Sequence, residues 1–439
     1  MSTKFRPGIA SKPLIDVSAT TEPATSSEVP VVEKPQGVLA PLEPGSTTAK
    51  VLASVWRGAE YTKVDSPPGG GKTSLIVTVA SHLATRAHLK ILIVSFTRAQ
   101  VVALAHRLVA EVPVTDIAIA LKDVTADDLP QGYNMKSDPA KAKVTVATLA
   151  KAKYLQRESY DLIIVDEAYQ STHAAVTQAA SGIAQILMVG DPGQIGPVVT
   201  VDTSIWAGLK DAPHLAAPLV TMGYDEIEQY SIGQTYRLGA HTAKVIAPIY
   251  PFEFASARPD RIAVTAEGVE CDEIESIEVA HSDEVDNLEC LESMVDRAES
   301  LVGGSIIEGG TSREITAEDV MLIVSRNSQV SILTGMAASR DLDFTIGTAD
   351  RLQGGEWPIV IALDAMYGSN GESEHNQSLG RLCVMLSRHT THLTWLHDDS
   401  WVEATKGKGH DKKINRQVRE QLVGTKVRTE TVDLFDDGF

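Results

Sequence analysis

Cysteine is scarce in this chain of 439 residues: there are three, Cys271, Cys290 and Cys383, far apart and in no C-x-x-C pair. That excludes a disulfide framework, argues against a zinc site and suits a reducing cytosol. Long apolar runs are missing as well, and none reaches the roughly 18 residues that a membrane span needs. The N-terminus has no apolar core segment of the secretory kind. Basic charge is in deficit, with 39 Lys and Arg against 58 Asp and Glu and a net charge of −19. On its face this disfavours nucleic acid as a partner, but much of the acidity is concentrated between Glu253 and Asp319, for example at Glu267, Glu270, Asp272, Glu273 and Glu275. Surface charge reaches only about 8–10 Å in physiological salt, so a basic groove elsewhere is compatible with this balance. The acidic stretch reads as a solvated helical face and loop.

Residues 1–47 are rich in Pro, Ser, Thr, Ala and Glu without periodicity and read as a disordered tail. Beyond them, short apolar runs alternate with helical stretches. Lys90–Ser95, Val144–Ala147, Leu162–Val165 and Ile186–Val189 are buried-strand candidates. A second set comprises Val320–Val324, Ile359–Leu363 and Leu393–Leu396. Continuous apolar strands separated by helices predict parallel sheets covered on both faces, hence two α/β domains in tandem.

Ser66–Ser74 reads S-P-P-G-G-G-K-T-S. It lies between a short strand candidate and the apolar helix candidate Leu75–Ala80, the arrangement of a phosphate-binding P-loop. Gly69, Gly70 and Gly71 let main-chain N–H groups wrap around phosphates. Lys72 meets the β- and γ-phosphate charge, and the Thr73 hydroxyl is placed for Mg²⁺. Ser66 stands where this pattern has its first glycine. Further on, Asp161–Tyr169 is an apolar strand ending in Asp166 and Glu167. Strand ends are where open α/β sheets place ligands. Asp166 is a candidate Mg²⁺ ligand and Glu167 a candidate base for the attacking water. Val189–Gln194 closes another strand and offers Gln194 to the γ-phosphate or the water.

The P-loop, D-E-A-Y and G-D-P-G-Q, in this order, resemble the superfamily 1 helicases. Gly233–Leu238 looks like that family's Q-Y-R element, Thr348–Glu356 like its motif V, and Gly380–Thr390 like its motif VI in the viral branch. The motifs span roughly residues 60–396. The resemblance implies two RecA-like P-loop domains, 48–230 and 231–400, that clamp ATP and Mg²⁺ between them, with a basic extension over 401–439. Catalysis would rest on Lys72, Asp166, Glu167, Gln194 and two arginine fingers, Arg237 and Arg388. Ser66, Gly69–Ser74, Gly354 and Glu356 would bind nucleotide, and Thr73 and Asp166 the metal. Arg381 is read as structural.

Ser95–Ala99 resembles motif Ia, which implies strand contacts by Thr97 and Arg98. Thr148, Ser325 and Arg326 are strand-end candidates for the same phosphate track, although ordinary helix caps explain such positions equally well. Phosphate contacts carry no sequence information, so binding would be sequence-tolerant. Phe96 and Tyr169 are better read as core aromatics than as base-stacking ones. No glutamine occurs between Gln36 and Gln100, so the glutamine that reads adenine in many relatives is absent and base selectivity is open. Val432–Phe439 is an acidic, Phe-ended tip and a candidate docking peptide for a replication protein. The leading expectation is an ATP-dependent helicase or translocase on single-stranded nucleic acid. DNA in phage or plasmid replication or repair is favoured over RNA, the direction leans 5′→3′, and the site of action is cytoplasmic. The alternatives are a viral-type RNA helicase and an ATP-driven remodelling protein that does not unwind.

Overall fold

The computed structural model describes residues 39–424 apart from 123–124, 126–127, 134–136, 225 and 369–372. Most of the expected tail and all of the acidic Phe-ended tip lie outside the described residues. Residues 39–46 lead into the helix Thr47–Trp56, and the Ala40 carbonyl is 2.9 Å from His82 Nε2. Among the described residues no helix is long and apolar enough to cross a membrane.

Two parallel sheets carry the architecture. The first has seven strands, in the order Ile117–Ala120, Val144–Thr148, Ile91–Ser95, Leu162–Val165, Gln185–Gly190, Tyr61–Asp65 and Ile227–Ser231. The second has five, in the order Ile274–Glu278, His389–His397, Trp357–Leu363, Val320–Val324 and Thr345–Thr348. Every apolar run expected to be a strand is one, and nearly all of its apolar side chains are buried because helices cover both faces.

The strand leading into the P-loop, Tyr61–Asp65, is polar in sequence yet lies inside the sheet between two partners. It is tolerated because its charges are matched. Lys63 Nζ is 2.9 Å from Asp65 Oδ2, and the Tyr169 hydroxyl donates to Asp65 Oδ1 at 2.8 Å. Buried polar groups survive when paired in this way.

The acidic stretch is only partly the helix and loop expected from composition. It also contains a four-stranded antiparallel sheet: Arg261–Val264, Glu270–Cys271, Ser305–Glu308 and Thr311–Glu314. These strands are too short and mixed in polarity to register as strands in sequence. The helix does appear, as Leu288–Leu301, with Leu291, Met294, Val295 and Ala298 facing the core. Its acids at Glu292, Asp296 and Glu299 converge on one partner, Arg340.

The basic extension is not a free arm. The helix His410–Val423 buries Val418 and Leu422 in the core of the second sheet. Its Arg419 is fully buried and grips both oxygens of Asp364 at 2.7 Å.

Candidate active site

The P-loop leaves the C-terminal end of Tyr61–Asp65. Gly69 and Gly71 hold φ of +68° and +86°, a region that side chains with a Cβ avoid. At Gly69 a Cβ would also lie 2.3 Å from the Cβ of Arg237. Gly71 opens the helix Lys72–His82, whose first N–H groups have no partner within the helix and face the loop with the positive end of its dipole. Ser66 is buried beneath the loop, its hydroxyl donating to the Pro67 carbonyl at 3.0 Å. It shapes the loop rather than lining the cleft.

Three carboxylates stand at strand ends beside Lys72. Asp166 accepts from the Ser95 hydroxyl at 3.3 Å and from the Glu167 N–H at 3.0 Å. Burial and the neighbouring Glu167 push its pKa up to about 7, against the pull of Lys72. Glu167 sits at φ +50°, unusual for a residue with a Cβ, and its Oε1 is 3.5 Å from Lys72 Nζ. Burial also raises the pKa of Asp191, which lies close to Lys72. At Lys72 itself burial works to lower the pKa, but Glu167, Asp191 and Asp166 outweigh it and raise it. Negative charge therefore exceeds what the one lysine compensates. The Thr73 hydroxyl and Asp166 are hard oxygen donors, so this set fits Mg²⁺.

The second half brings the opposite charge. Arg237 Nε donates to Glu356 at 2.8 Å and its NH1 to the Ser387 carbonyl at 3.2 Å. The strip carrying it is packed on the P-loop: the Tyr236 N–H donates to the Gly69 carbonyl, and the Thr235 hydroxyl to that of Pro68. Arg388 is fully buried. Its NH1 donates to the Gly355 carbonyl and its NH2 to the Ser387 hydroxyl, while Nε has no hydrogen-bond partner among the described residues. Burial and the adjacent Arg237 lower its pKa to about 10. Arg381 forms a bidentate ion pair with Asp350.

These groups surround one cleft of about 520 Å³. It is lined by Lys72, Asp166, Glu167, Gln194, Arg237 and Arg388, together with Gly69–Gly71, Thr73 and Gly354–Glu356. The six catalytic candidates are thus brought together. Ser74 is not among the lining residues. It opens on a second cavity of about 730 Å³ on the other side of the P-loop, beside Thr47, Thr48, Gln234 and Tyr236. Sequence reasoning missed Gln100 and Arg107, which reach the first cleft from the helix Arg98–Leu108. Their spacing of seven, which puts both on one helical face, is the signal that was available.

The strand-contact candidates share sheet edges. Ser95 and Thr148 are register partners, as are Val324 and Thr348. Thr97 and Thr148 are helix N-caps, accepting from the N–H groups of Gln100 and Lys151. A hydroxyl that accepts a cap bond still has its proton to donate to phosphate. The Arg326 N–H donates to Gln329 Oε1 at 3.1 Å, and the Ser325 hydroxyl is 3.5 Å from the same oxygen. Arg98 opens the helix after the first of these caps. Phe96 is 54% exposed, contrary to a core reading, whereas Tyr169 is buried.

Residues 54–200 match the AAA domain family. The matched AAA domain contains the P-loop, D-E-A-Y and G-D-P-G-Q, and it bears out the superfamily 1 resemblance over the first sheet. No curated protein sequence matches the chain. Among solved structures, the PRRSV helicase aligns at 15% identity with a TM-score of 0.44, over 79% of this chain and 54% of that one. Arterivirus nonstructural protein 10 (helicase) aligns at 15% with a TM-score of 0.45, over 80% and 61%. Its complex with DNA aligns at 15% with a TM-score of 0.44, over 80% and 63%. The chain therefore spans 54% to 63% of the length of these helicases. At these scores the likeness says nothing about chemistry.

Proposed function

We propose that the chain is an ATP-dependent helicase or translocase on single-stranded nucleic acid, working through RecA-like units 48–230 and 231–400. The observation that carries this reading is Arg388. A fully buried guanidinium that lines a cleft with a P-loop and has no carboxylate bonded to it among the described residues is without a direct ion-pair partner. A nucleoside triphosphate supplies one.

In this reading the P-loop N–H groups and Lys72 bind the β- and γ-phosphates. A magnesium ion on Thr73 and Asp166 would neutralise charge between them. Glu167 takes the proton of the attacking water, which Gln194 orients. Arg237 and Arg388 stabilise the transferring phosphoryl group, an effect worth about 10³–10⁵ in rate in related systems. Because the arginines come from the second half, hydrolysis depends on the two halves being docked, and nucleic acid held along the sheet edges by Thr97, Arg98, Thr148, Ser325 and Arg326 is shifted as they separate. The 5′→3′ direction is taken from the motif resemblance, and single-stranded DNA as the strand from the analogy of a compact motor with a replication-like acidic tip.

The test is ATP hydrolysis by the full chain with single-stranded DNA, single-stranded RNA or neither, followed by strand separation on 5′- and 3′-tailed duplexes. DNA should stimulate hydrolysis many-fold, only the 5′-tailed duplex should open, and Lys72→Ala should abolish both activities. Stimulation by RNA alone would change the substrate. Hydrolysis indifferent to either strand would favour a remodelling protein.

A further inference from the structure

The orientation of Gln194 is held by a chain of buried and part-buried hydrogen bonds that crosses between the two halves. Gln194 Nε2 donates to Asp191 Oδ2 at 2.9 Å. An ionised carboxylate only accepts, so this bond decides which end of the amide faces away from Asp191. That end is Oε1, which accepts from Gln353 Nε2 at 3.4 Å, and Gln194 itself lines the cleft. The other Asp191 oxygen accepts from the Gly193 N–H at 2.9 Å and from the Tyr250 hydroxyl at 3.0 Å.

Tyr250 belongs to the second half, where it packs in the core beneath Trp357–Leu363 and His389–His397. Phe252 and Phe254 meet its ring edge-on, with centroids 5.5 Å and 5.0 Å away. The ring also fills the space where a Cβ on Gly193 would stand, 2.5 Å from its Cζ. Gly193 therefore admits this ring and a larger residue would not. Cys383, on the helix Leu379–Leu386, places its sulfur 3.2 Å from the phenol oxygen. The phenol proton is committed to Asp191, so the thiol is the donor in that contact. The chain runs Cys383 to Tyr250 to Asp191, with Gln194 donating from the other side.

We infer that Tyr250 is a positioning residue: it holds Asp191, and through it the Gln194 amide, in the orientation that receives the attacking water, and it does so only while the second half is docked on the G-D-P-G-Q turn. Docking is then read twice, by the arginines on the phosphate side and by Tyr250 on the water side. The inference rests on the nucleotide-hydrolysis reading above.

The test is steady-state ATP hydrolysis by the full chain as Tyr250→Phe, Gln194→Ala and the double variant. Tyr250→Phe keeps the ring and removes only the hydroxyl. Its kcat should fall about tenfold, the scale of one hydrogen bond to a charged group, with KM within about twofold. The double variant should be no slower than Gln194→Ala alone, because both changes act through one amide. Asp191→Ala should reproduce the loss in kcat by removing both acceptor oxygens, and Cys383→Ser, which keeps a donor, should stay near wild type. A Tyr250→Phe kcat within about twofold of wild type, or independent losses in the double variant, would overturn the inference. Wild-type protein without hydrolysis would instead remove the functional reading beneath it.

Discussion

The two parallel sheets present opposite edges to the P-loop cleft. The first uses its C-terminal edge: the P-loop follows Asp65, Asp166 follows Val165, and Asp191 follows Gly190. The second uses its N-terminal edge: Glu356 precedes Trp357–Leu363, and Arg388 precedes His389–His397. At the C-terminal edge of the second sheet, two acids are already satisfied. Asp364 is gripped by Arg419, and Asp398 accepts from the N–H and hydroxyl of Ser400. In the proposed reading, the carboxylates for metal and base are thus built on one sheet and the arginine fingers on the other. Had the fingers stood beside Asp166 and Glu167 on a single sheet, permanent ion pairs would have quenched both. Separation makes their meeting depend on docking.

The largest effect that would break this comparison is at Arg388. Arg388→Ala should lower the single-turnover hydrolysis rate by about 10³-fold while nucleotide affinity changes only a few-fold. Arg388→Lys should recover little, because an ammonium lacks the planar fork of donors. An alanine variant with near-normal turnover would leave the N-terminal edge of the second sheet without a catalytic role.

The cleft residues were legible because each lies inside a short motif at a strand end, so chemistry and position are written in consecutive residues. Lys72, Asp166, Glu167, Gln194 and Arg388 share that property. Tyr250 and Arg107 lack it: one meets Asp191 and Gly193 through the packing of the other half, and the other reaches the cleft by its helical phase. The polar trio Lys63, Asp65 and Tyr169 was hidden for the same reason, since a strand reading Y-T-K-V-D suggests an edge until its partners are known. Composition misled at Arg419, where a basic helix hides a core face at Val418 and Leu422. Phe96 and Tyr169 have similar local contexts, and only the sheet's three-dimensional edge separates the exposed ring from the buried one.

Arg419 sharpens the comparison from the other side. Arg419→Ala leaves Asp364 buried without its partner, which costs about 3–5 kcal/mol in comparable pairs. Urea unfolding should show that loss, and turnover per folded molecule should stay at the wild-type value. A fall in turnover at equal folded fraction would mean that the C-terminal edge of the second sheet takes part in function after all.

The smallest expected effect concerns two carboxylates, one buried and one half-buried, in opposite surroundings. Asp166 is pushed up to about 7 by burial and Glu167. At Glu273, in the second half, burial works in the same direction, but His389, Thr242 and Arg258 outweigh it and bring the group from 4.5 down to about 2. Its oxygens accept from the N–H groups of His241 and Thr242 and from the Thr242 hydroxyl. A carboxyl whose pKa is depressed in the folded state adds stability above its unfolded value, and that contribution is lost as pH falls through the folded value. For Glu273 the window runs from 4.5 down to about 2. Glu273→Gln should therefore be less stable than wild type near neutral pH, with the gap narrowing on acidification because the variant has no carboxylate to protonate. Parallel urea midpoints for the two proteins across that window would mean that Glu273 is not the acid-sensitive group of the second half.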